Sequence, residues 1–145
     1  MDIENKDQHS IPVVLNSTHK QLERDIAHRF RTFNREKIGC ASQEVTCTIF
    51  NNYLVLVAEG ALTTLEQTIY KSGEAEIIES LRHSVNLVLK QELHQIVQEM
   101  ALVDVKDLVC ELNYETGRLI AIVIMDTAPA VRRKGKSKVS VANNK

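Results

Sequence analysis

Two short runs decide what this chain can fold into: "YLVLVA" at Tyr53–Ala58 and "LIAIVIM" at Leu119–Met125. A β-strand sends successive side chains to opposite faces, so a strand with one wet face alternates apolar with polar residues. These two runs are apolar on both faces, which marks central strands and predicts a sheet covered on both sides. Neither can cross a membrane as a helix, since that takes about 20 apolar residues and Leu119–Met125, the longest apolar run, has seven.

Each run has a neighbour that can pair with it. Ahead of the first lies Glu44–Phe50, where Val45, Thr46, Thr48 and Ile49 favour a strand. Asn51 and Asn52 between them tolerate the positive φ of a two-residue hairpin turn. Ahead of the second lies a strand over Val105–Leu112, joined through "NYETGR", in which Gly117 supplies the positive φ of a longer hairpin loop. Setting the two-sided strands side by side gives an antiparallel sheet of two hairpins in the order 1-2-4-3.

Helical periodicity fills the rest. Thr18 stands three residues before Gln21, and Leu22, Ile26, Phe30 and Phe33 follow on one face. This helix is expected to reach about Lys37 and to stop at Gly39. Its other face is basic, with Lys20, Arg24, Arg31 and Arg35. After Gly60, Thr63 and Glu66 have the spacing of a capping box, in which each side chain satisfies a backbone N–H of the other residue. A short helix to Lys71 follows, broken at Ser72-Gly73. A long one from Glu74 to Met100 carries Ile78, Leu81, Val85, Leu89, Leu93 and Ile96, with Ile77, Val88 and Val97 widening the stripe.

The expected fold is therefore α+β, a two-layer domain in the order α-β-β-α-α-β-β with a four-stranded antiparallel sheet and a long amphipathic helix. At 145 residues there is room for one core. Residues 17–126 form the domain, residues 1–16 a mobile arm containing "IPVV", and residues 127–145 a disordered basic tail. Arg132, Arg133, Lys134, Lys136, Lys138 and Lys145 give the last 19 residues +6, and the remaining 12 basic and 19 acidic side chains give −7. An acidic body drags a basic tail.

Candidate chemistry is sparse. A nucleophilic Thr63 would need a base, and no histidine lies close to it in sequence. "AVRRKGKS" at Ala130–Ser137 ends like a phosphate-binding loop but has alanine where the loop needs glycine, and a poor helix follows. His83 and His94, flanked by Glu79 and Glu92, do not make the three or four converging ligands of a metal site. Cys40, Cys47 and Cys110 have no C-x-x-C spacing and read as reduced, core-lying thiols. No enzyme, metal or cofactor is expected. The N-terminus has acids and no apolar segment of a secretory signal, so a cytoplasmic location is expected.

The succession of a basic helix, a hairpin, "EGALTTLEQ", an acidic helix with Arg82 and "TGRLIAIVIMD" resembles the MpsC family over residues 18–126. Gly60, Leu62, Thr63, Glu66, Thr116 and Gly117 carry the resemblance. The chain departs from the family pattern at Gly39-Cys40-Ala41, where Gly-Pro is usual, and at Asn51-Asn52, where an aspartate is common. The resemblance implies a cytosolic accessory protein of a Na+-translocating, membrane-potential-generating system, with a link to cation or inorganic-carbon transport and no transferable catalytic residues.

Two functions remain open. The first is a regulatory interaction module, homodimeric because the two-sided strands need more cover than two helices give, with an unidentified partner in a membrane transport or signalling complex. The alternative is a polyanion-binding protein whose tail, through Arg132, Arg133, Lys134, Lys136 and Lys138, meets nucleic acid or an anionic membrane.

Overall fold

The computed structural model describes residues 18–40 and 44–131. Helix α1 spans His19–Phe33 and strands β1 and β2 span Glu44–Phe50 and Tyr53–Glu59. Helices α2 and α3 follow at Thr64–Lys71 and Ala75–Ala101, then strands β3 and β4 at Val105–Asn113 and Arg118–Met125. The four strands form one antiparallel sheet in the order β1-β2-β4-β3. The α+β reading and the sheet order hold.

Thr18 caps α1 by accepting a hydrogen bond from the Gln21 N–H at 3.1 Å. The helix does not continue regularly to Lys37. Asn34–Ile38 form a single wider π turn, closed by Gly39 at φ +88°, a left-handed conformation that glycine adopts at no steric cost. The Asn34 amide is fully buried in this turn, and neither of its polar atoms has a hydrogen-bond partner.

α1 packs over β1, α3 over β3, and the two helices pack on each other, so both lie on one face of the sheet. The core forms beneath them. Leu22, Ile26 and Phe30 of α1 and Leu89, Leu93, Ile96 and Val97 of α3 close onto Ile49, Leu54, Leu56, Leu119, Ala121, Val123 and Met125. Each of the larger side chains contributes about 1.5–3 kcal/mol through burial. Of the residues expected to widen the α3 stripe, Val97 is buried, whereas Ile77 and Val88 are exposed. The α3 helix is 27 residues long, and α2 supplies its extra partner by folding back against it. Beyond β4, Pro129 is buried and Val131 packs against the core.

Candidate functional site

The end of β2 meets the loop between β3 and β4 in a joint built around one carboxylate. Thr63 Oγ1 accepts from the Glu66 N–H at 3.1 Å, and the Thr63 N–H donates to Glu66 Oε1 at 3.0 Å, completing the capping box. Glu66 is fully buried, yet it has a counter-charge. Arg82, about two turns into α3 and also buried, donates from Nε to Glu66 Oε2 at 2.7 Å and from Nη2 to Oε1. The same Arg82 Nη2 reaches the Ala61 carbonyl at 3.4 Å, and Nη1 reaches Asn86 Oδ1 at 3.3 Å. Cys40 Sγ also donates to the Ala61 carbonyl, at 3.0 Å. A fork-shaped guanidinium on a carboxylate is the geometry in which a buried pair recovers most of its desolvation cost.

Beside the joint lies an open cleft of about 360 Å³ lined by Gly60, Leu62, Gln67, Tyr70, Tyr114 and Thr116, among others. Tyr70 stacks on Tyr114 at 5.3 Å between ring centroids. The Ala61 N–H donates to the Gly117 carbonyl at 2.8 Å, tying the two loops together.

All three cysteines are free and buried. Burial pushes the Cys40 and Cys110 thiols up to about 11, against the pull of Arg82. It pushes Cys47 up to about 12, with the nearby Glu23 carboxylate adding to the effect. None is an activated thiolate. Among the described residues, no three His, Cys, Asp or Glu side chains are grouped as a metal ion would require. His83 and His94 point into solvent from α3.

No described helix lies on the other face of the sheet. Across it run three rows in register: Thr46, Val57, Ile120 and Glu111; Thr48, Val55, Ile122 and Val109; Phe50, Tyr53, Ile124 and Asp107. Phe50 is 59% exposed, Val109 50%, Tyr53 47%, Ile120 42% and Ile122 40%, values far above those of core residues. The apolar centre belongs to β2 and β4, while Glu44, Glu59, Asp107, Glu111 and Arg118 stand around it. Arg118 Nε donates to Glu59 Oε2 at 2.9 Å. An apolar centre within a polar rim is the anatomy of a protein interface.

A family model described as the Na+-translocating membrane potential-generating system (MpsC) matches residues 18–127. The chain belongs to the MpsC family. The match opens at the Thr18 cap of α1 and closes two residues after β4, so it takes in every helix and strand of the fold. No curated protein and no solved structure matches the chain.

In this MpsC domain the residues that carry the family likeness converge. Gly60, Leu62, Thr116 and Gly117 line the cleft, and Thr63 and Glu66 form the joint beside it. Of the two asparagines at the first hairpin, only Asn51 takes a positive φ. Asn51 adopts φ +52° and Gly117 φ +72°, and the Asn52 side chain donates to the Met125 carbonyl at 3.1 Å. Arg132, Arg133, Lys134, Lys136 and Lys138 lie outside the described residues, as does the arm at residues 1–16. Sequence reasoning missed the Glu66–Arg82 pair, although an arginine on the helix stripe between Ile78 and Val85 was the available signal. It also expected cover on both sheet faces, whereas the described helices cover one.

Proposed function

We propose that this MpsC-family chain is a non-enzymatic accessory module of a Na+-translocating, membrane-potential-generating system, acting in the cytoplasm by association through the open face of its sheet. The observation that carries the reading is the exposure of Phe50, Tyr53, Val109, Ile120 and Ile122 on one continuous surface. Monomeric soluble proteins rarely leave an apolar patch of this kind uncovered. The family description supports the choice of system, and the exposed sheet face supports the mode of action. No described helix is long and apolar enough to cross a membrane.

The test is complementation. A cell lacking the chain should lose Na+-dependent membrane potential; the wild type should restore it, and a folded Ile122→Glu variant should not. Full rescue by that variant would overturn action through the sheet face. A second reading, binding of a polyanion by the tail, draws on the +6 of residues 127–145 against the −7 of the rest. It predicts binding of DNA or anionic vesicles that weakens steeply with salt.

A further inference from the structure

We infer that the occupant of the open sheet face is a second copy of this chain, seated face to face about a two-fold axis that runs parallel to the strands. The inference rests on the association reading above and names its first partner.

Both sheet edges are blunted, so the sheet is left to associate through its open face. On β1, Glu23 of α1 reaches down and its Oε2 accepts the Ile49 N–H at 2.8 Å, removing an edge donor from intermolecular pairing. On β3, the register shifts between Val105 and Asp107, and the Asp107 carboxylate takes the Leu108 N–H at 2.9 Å. A bulge with charged residues protects an edge in the same way.

The distribution of charge selects the two-fold. The β3 edge is acidic on the open face, with Asp107 and Glu111, while the β1 edge there presents Thr46, Thr48 and Phe50, with Glu44 at its end. An axis along the strands lays β1 of one copy over β3 of the other, and β2 over β4. Within the rows Glu111 then lies over Thr46, Val109 over Thr48, Asp107 over Phe50 and Arg118 over Glu59, so no two carboxylates face each other, and the valines and isoleucines of the two central strands meet one another. An axis across the strands at the central row would lay β3 over β3 and set Asp107 against Glu111 of the other copy, where like charges repel.

The area suffices. Four strands are about 19 Å wide and seven residues about 23 Å long. Two such faces bury roughly 900 Å² as flat rectangles, and side-chain relief carries that past the ~1,000 Å² of a specific interface. The product is a β-sandwich with the helices outside and about 10 Å between the sheets. It covers the second face of both central strands. Because the contact is isologous it closes at two copies.

The test is sedimentation equilibrium of the full chain, with circular dichroism to confirm that each variant is folded. The wild type should be a dimer at tens of micromolar. Ile122→Glu should weaken association at least about a hundredfold, because it buries two unpaired charges at the centre. A wild type that stays monomeric overturns the inference, and so does a folded Ile122→Glu that still dimerises. The axis is read separately by a short bismaleimide. Thr48→Cys with Val109→Cys should link two copies, whereas Thr48→Cys alone should not, because its symmetry mate lies about 14 Å across the sheet. Linking by the single variant overturns the strand-parallel axis. A dimer in a chain that fails complementation for reasons other than this face would leave the inference standing and remove the functional reading. A monomer that still supports the membrane potential would do the reverse.

Discussion

Arg82 holds Glu66 by two hydrogen bonds across 16 residues of sequence, and both side chains are buried. The pair clamps the start of α2 to α3 at the end of the sheet. It turns a local helix cap into a tertiary fastener.

Arg82→Leu strands a buried carboxylate and should cost about 3–5 kcal/mol in chemical denaturation. The double variant Arg82→Leu with Glu66→Leu removes the orphaned charge too. It should recover part of that loss, giving a coupling energy well above that of an exposed pair such as Arg118–Glu59.

Thr63→Ala loses the cap acceptor and the hydroxyl's own bond to Glu66 Oε1 at 3.0 Å, while the ion pair remains. The expected loss is about 0.5–2 kcal/mol, with association unchanged. A variant of unchanged stability that no longer associates would show that Thr63 serves binding instead.

Asn34→Leu should raise the melting temperature, since it replaces an unpartnered buried amide by an apolar side chain of similar shape, worth about 1–3 kcal/mol. The backbone bonds from the Gly39 and Cys40 N–H groups to the Asn34 carbonyl survive the change.

The thiols should resist modification at pH 8 in the native chain, and all three should react once it unfolds. Their folded values, about 11 to 12, lie above those of exposed thiols. A raised acid stabilises the fold below its unfolded value and loses that contribution as pH climbs toward the folded one. Stability should therefore fall between about pH 8.5 and 12, and a cysteine-free variant should show a shallower alkaline loss.

Truncation after Val131 should preserve the melting temperature better than truncation after Asp126, because only the second removes Pro129 and Val131 from the core. Calorimetry of the two shortened chains decides it.

The sequence alone determined what depends on neighbours a few residues apart. The Thr63–Glu66 box, the Asn51-Asn52 turn, the Gly117 loop and the periodicity of the helices are local, and backbone sterics translate them directly into elements. Even the sheet order was legible, because two-sided apolar strands have one sensible place. Sequence could not decide which face of those strands the helices would take, since Val55 and Leu56, or Ile120 and Ala121, are equally apolar to a pattern of period two. Nor could it pair Arg82 with Glu66, since α2 and α3 must first fold against each other. Tertiary packing decided both: α1 and α3 hold onto each other as well as onto the sheet, so they settle together on one side and leave the other face open.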